Sequence, residues 1–389
     1  MAATLANRLL RPLVLVTFVV SWLTSCGGVD SGGTGSAAVG PITGYGSIIV
    51  NGVRFDDSSA AVLDDAGNVR SRDQLRLGVM TVVDAFELTG SAGSQRAIAS
   101  TIRISSEIVG PVDAVDPAAG RIEVLGQTVV VTPATVFDAA GGLGSLQVGT
   151  VVEVYGRHDA VAGRYAATRI ERKSGVEPYK LRGVIASVNA QSFVIGGQRI
   201  GLAQLPAPDL QHVVAGRLVR VTLQTTAIGD LRIATAVTSG LRQLPDRDDA
   251  QVEGRISAWV SSRQFSIDGM AVDAAGAAFP DGEGGVVLGA RVEVEGESRG
   301  GVVHARVVKV QGDEDSGNSV FELHGPIETL DTAGRTLTVR GVVVDFSGNV
   351  QFRSGTASDL AVGRRIEVEG ALSSDGSRVV AQEITFEDN

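Results

Sequence analysis

Residues 46–56 read GSIIVNGVRFD. Apolar side chains alternate on either side of Asn51-Gly52, the pattern of a two-residue β-hairpin. Both central residues of a type I′ turn take positive φ, and Asn-Gly accepts that with least strain. The same shape returns four times, as RIEVLGQTVV (121–130), SFVIGGQRIG (192–201), QFSIDGMAVD (264–273) and TLTVRGVVVD (336–345). One hairpin written five times marks a tandem array. It also raises the question of what the copies do for one another.

Two further landmarks keep the period. The hairpin glycines Gly52, Gly126, Gly197, Gly269 and Gly341 are separated by 74, 71, 72 and 72 positions. An opening glycine (Gly40, Gly110, Gly183, Gly254, Gly325) recurs at 70, 73, 71 and 71. Downstream, VGTVVEVYG (148–156), LGARVEVEG (288–296) and VGRRIEVEG (362–370) are one element, with weaker copies in AGRLVRVTL (215–223) and LGVMTVVDAFE (77–87). Each is followed by a last strand. Alternation broken by turn signals every 8–12 residues predicts strands throughout, and no stretch sustains a 3.6-residue period.

Each copy therefore reads as five strands, with the longest connection between the third and fourth. This order predicts an all-β fold, a tandem array of five small OB-like five-stranded β-barrels. A loop or one short turn (143–148, 358–362) stands where such barrels usually hold a helix. A five-bladed β-propeller is the alternative. The expected copies are 39–107, 108–179, 180–249, 250–319 and 320–389. The spacers vary and are charged: near 105–109, RKSGVEPY (172–179), LRQLPDRDD (241–249) and GDEDSGNS (312–319). Such spacers suit autonomous beads on a string, each marginally large enough to fold alone.

The opening copy, GPITGYGSIIVNGVRFD (40–56), resembles a repeat family of exported bacterial proteins catalogued as a domain of unknown function, number fifty-six sixty-six. The resemblance rests on Gly40, the Gly46-to-Asp56 hairpin and the later L-x-x-G-x-x-V-x-V strand. It extends over 40–386 and is strongest in the first, second and fifth copies. The third departs most, with a Gly-Gly hairpin and Gln204-Leu205-Pro206-Ala207-Pro208 in its long connection. The resemblance implies small β-barrels and an envelope address. It implies no activity and no site residues.

The amino terminus reads as an export signal over 1–25. Arg8 and Arg11 form its positive region, and an apolar run from Leu13 to Leu23 follows. That run is short of the roughly 20 residues a spanning helix needs. Leu23-Thr24-Ser25-Cys26 resembles the lipobox of bacterial lipoproteins, which implies lipidation of Cys26, the single cysteine of the chain. Residues 26–38, rich in Gly and Ser, read as a flexible tether. Gly27 stands where an inner-membrane retention Asp would stand, and by resemblance to Gram-negative lipoprotein sorting this implies the outer membrane, lipid-anchored on its periplasmic or cell-surface face. With no second Cys there is no intrachain disulfide, and stability rests on burial and strand pairing.

Composition narrows the function. The 389 residues carry a net charge of −10, or −12 without Arg8 and Arg11, which repels nucleic acid and anionic headgroups. The four histidines, His158, His212, His304 and His324, fall at non-equivalent places without metal-ligand spacing and read as solvated surface residues. Glu293 with Glu295, and Glu367 with Glu369, lie two apart in strands, so each pair shares a face at roughly 6.5–7 Å. That separation lies in the glycosidase range of about 5–10 Å. However, Val292, Val294, Ile366 and Val368 take the core side, which leaves the Glu face to solvent. The acidic loop at 313–318 fails as a calcium loop because its twelfth position is His324. Asp246-Arg247-Asp248-Asp249 reads as a solvated linker. Phe55, Phe193 and Phe265 alternate into cores, Arg54 and Arg199 are isolated, and Trp259 lies in a first strand, so no stacking platform for single strands emerges. No cofactor and no catalytic residue is expected. The expectation is a non-enzymatic, lipid-anchored envelope protein whose modules bind a protein or glycan partner multivalently. A structural spacer or coat, or a carbohydrate-active enzyme using a Glu pair, are the alternatives.

Overall fold

The computed structural model describes residues 36–89, 96–159, 162–175, 178–312 and 320–387. The export signal, Cys26 and the acidic loop at 313–318 lie outside the described residues. The first strand begins at Ser36, so 36–38, expected to end the tether, already belong to copy one.

In copy one the strands Ser36–Tyr45, Ile48–Val50, Val53–Asp56, Met80–Thr89 and Arg96–Ile104 pair in a closed ring. The order is first, second, third, fifth, fourth and back to first. The third and fifth run parallel; every other pair is antiparallel. The same ring closes copy two, copy three, copy four and copy five. Each copy is thus an OB-type barrel, and open propeller blades are absent among the described residues. The long connection holds one 3-10 turn in every copy: Arg72–Gln74, Gly142–Ser145, Ala207–His212, Glu283–Gly285 and Ala357–Asp359.

The landmarks keep one period because they touch. Both hairpin residues have positive φ at Asn51-Gly52, Leu125-Gly126, Asp268-Gly269 and Arg340-Gly341. Residues of the hairpin lie directly over the opening glycine of the first strand. A Cβ on Gly110 would stand 2.5 Å from Leu125 Cγ, and one on Gly254 would stand 2.5 Å from Ile267. Only glycine lets the two pass.

The copies are not beads on a string. Copy one's first strand pairs in parallel with the first strands of copy four (Ala37 with Val252) and copy five (Gly44 with Glu322). The first strands of copies two and three pair through Val109 and Lys180. Cores run across these seams. Copies one and five share one apolar cluster, copies two and three share another, and copy four packs on Ala37, Val39 and Val82 of copy one.

The spacers expected to be solvated supply the ionic centre of the assembly. Glu107, from the first spacer, is 1% exposed, and Arg242, from the third, is 5% exposed. Arg242 Nη2 donates to Glu107 Oε1 at 2.6 Å. Arg242 Nη1 also donates to the main-chain oxygen of Asp268 in copy four, whose carboxylate meets Arg157 of copy two. Arg182 of copy three bonds Ser105 at 2.6 Å and Asp65 of copy one at 3.0 Å. Four copies are thereby keyed together by charges 65 to 268 in the chain.

Candidate functional site

Packing opens clefts between the barrels. One of about 780 Å³ lies among copies one, two and five, with Tyr45, Arg76, Phe137, Arg340 and Arg378 on its walls. A second, of about 530 Å³, lies among copies one, two, four and five and is lined by Asn51, Arg157, Arg291, Gln311, Glu322 and Glu369.

Glu322 belongs both to the second cleft and to a cluster of carboxylates and a histidine whose ligand atoms converge. Its construction follows from strand geometry. Glu322 and His324 lie two apart on the first strand of copy five, Phe321–Asp331, so they share a face. Glu367, on the fourth strand, Arg365–Leu372, stands opposite His324 in register. His324 Nε2 is 2.6 Å from Glu322 Oε1 and 3.2 Å from Glu367 Oε1. Its Nδ1 is 2.8 Å from Glu387 Oε1, and Arg365 holds the other Glu387 oxygen at 3.1 Å. Arg54 reaches in from copy one, pairs with Glu322, and places Nη1 2.8 Å from His324 Nε2.

The electrostatics follow. Burial raises the Glu322 carboxyl, but hydrogen bonds from His324 and Glu367 and the charge of Arg54 outweigh it and hold the group low. Burial lowers His324, and its bonds to Glu322 and Glu387 outweigh that and raise it. Glu367 is pushed up to about 7, by burial first and then by the hydrogen bond with Glu322. Glu322, His324 and Glu367 present three ligand atoms within 4.8 Å of one another and could hold a metal ion.

The other expected positions are scattered. His324 is not a solvated surface residue, with 15% of its side chain exposed. Nor is His158, which packs against Tyr165 with ring centroids 4.6 Å apart and is lowered by burial. His304 is open to solvent beside Asp273. Glu293 and Glu295 are both clamped by Lys309, and Gln251 and Gln311 bond Glu293 as well. Of the second pair, Glu367 joins the cluster and Glu369 faces the cleft. The Asp246-to-Asp249 run is solvated as expected at Asp246 and Asp248, but from Arg247 it already belongs to the first strand of copy four, and its carboxylates are paired. Asp248 pairs with Arg299, Asp249 with Arg306, and Asp246 accepts from Gly300 N at 2.8 Å. Arg54, isolated in the sequence, finds its partners 268 and 270 positions away. Phe55, Phe193 and Phe265 are core residues. Trp259 is 42% exposed, its indole fixed by a 2.8 Å bond to Val286 O. The signal for the cluster was E-L-H (322–324) and E-V-E (367–369) within one copy; their pairing, their register and the entry of Arg54 were not legible in the sequence.

The sequence model of the domain of unknown function DUF5666 matches residues 109–171, 253–309 and 324–385. These stretches fall in copies two, four and five. The opening copy, which carried the resemblance to this family, lies outside them. No curated protein matches the chain. Barrels two, four and five therefore each match the DUF5666 model, three times within one chain.

Proposed function

We propose that this chain is a non-enzymatic, lipid-anchored bacterial envelope protein whose five barrels form one binding body for a protein or glycan partner. The anchor would be Cys26, in the outer membrane, on the lipobox and the adjoining Gly27. The observation that carries the binding reading is the pair of clefts whose walls come from three and four barrels. Closely packed barrels give little reach, which weighs against a spacer. They give composite surfaces that no single barrel has, and the clefts offer several contact areas to one extended partner. Their lining mixes arginine, carboxylate, amide and aliphatic groups, chemistry suited to hydroxyls and peptide groups.

The test is affinity capture. The folded body, residues 33–389, would be immobilised and exposed to solubilised envelope proteins and glycans. Reproducible retention of one species, lost when Arg291 and Gln311 in the cleft are replaced by alanine, supports the reading. Retention of nothing across salt conditions favours the structural spacer.

A further inference from the structure

The Glu322–His324–Glu367 group contains a hydrogen-bonding conflict. If His324 Nε2 is bare, it accepts from Arg54 Nη1 at 2.8 Å but faces the lone pairs of Glu322 Oε1 at 2.6 Å. If Nε2 is protonated, it donates to Glu322 but abuts the N–H of Arg54. Neither state satisfies both neighbours. A cation at the centre removes the conflict, because a bare imidazole nitrogen and two carboxylate oxygens would all aim lone pairs at it.

The outer contacts support the same assignment. Glu387 receives the Nδ1 proton at 2.8 Å, and Arg365 fixes Glu387 in turn. A carboxylate on the far nitrogen is the arrangement that sets the tautomer and basicity of metal-bound histidine. Two carboxylates balance a dication, and an imidazole with oxygens suits zinc, cobalt or nickel better than calcium or magnesium. Arg54 comes from another barrel on a long side chain that is one quarter exposed, so it can withdraw.

We propose that Glu322, His324 and Glu367 form a divalent transition-metal site, and that the Arg54 guanidinium competes with the metal for it. The site lies on copy five, and its rival cation lies on copy one. Metal binding would therefore exchange an inter-barrel ion pair for coordination within one barrel.

The experiment is titration of the purified, untagged, chelator-stripped chain with Co²⁺ and Zn²⁺, followed by calorimetry and by the visible spectrum of cobalt. One equivalent is expected to bind with micromolar affinity. R54Q is expected to tighten binding at least tenfold by removing the competitor. H324Q should abolish the equivalent, and E387Q should weaken it roughly 10–100-fold. Circular dichroism and the unfolding midpoint of each variant show whether it is folded. Should H324Q misfold, R54Q alone still decides, since tightening has no structural explanation. Absence of binding in both the natural chain and R54Q, or binding that a folded H324Q leaves unchanged, overturns the assignment.

Discussion

Burying Glu107 beside Arg242 takes two charges out of water, at several kcal/mol each, and their attraction offsets this only while both are present. Among the described residues, Glu107 Oε2 and Arg242 Nε have no hydrogen-bond partner, so the pair is incompletely satisfied. Its value then lies in specifying which barrels meet, with little net gain in stability. Arg242→Met is expected to cost about 3–5 kcal/mol, because it strands Glu107 with Arg182 at 3.8 Å as its remaining ion partner. Adding Glu107→Leu should recover part of that loss. Urea unfolding of the three variants measures the cycle, and a double variant as damaged as the sum of the singles would show that the two residues act independently.

At the scale of elements, the barrel was legible because its rules are local. Alternation gave the strands, positive-φ turns gave the hairpins, and the interval between glycines gave the copy number. The OB-like order followed from the long connection between third and fourth strands, and the 3-10 turns stand where a loop or one short turn was expected. The contacts between elements of different copies were not legible, since they depend on register and docking. Glu171 illustrates this. It ends copy two as one letter of an ordinary charged run, yet it is 5% exposed and pairs with Arg169, whose Nη1 bonds Leu77 O of copy one at 3.0 Å. Burial raises its pKa, but Arg169 and Lys173 outweigh burial and depress it to about 2. A depressed carboxylate contributes stability that is present above its unfolded value, near 4.5, and is lost as pH falls towards 2. Glu171→Gln should therefore destabilise by about 3 kcal/mol at neutral pH. The deficit should shrink steadily between pH 4.5 and 2. Unfolding midpoints of both proteins across that window measure it, and a deficit independent of pH would mean that the ion pair contributes nothing.

For the whole molecule, the decisive error of a sequence reading is to treat a charged spacer as a solvated one. Residues 241–249 and the short link near 107 look like linkers by composition. Arg242 and Arg247, however, find Glu107 and Asp84 over 100 positions away, and that cross-copy pairing, with the shared apolar clusters, turns five small barrels into one body. Size makes the outcome measurable. A compact body of about 350 residues has a radius of gyration near 20 Å, whereas five separate barrels of about 11 Å each, strung end to end, give roughly 35 Å. Small-angle scattering of residues 33–389 is expected to return the smaller value and to keep it in high salt, because the central charges are buried and little screened. Arg242→Met is expected to leave the value near 20 Å even as it lowers stability, because strand pairing and shared apolar clusters still hold copy three to copy two and copy four to copy one. A value near 35 Å for the unaltered chain would return the barrels to independence, and with it remove the clefts on which the binding reading stands.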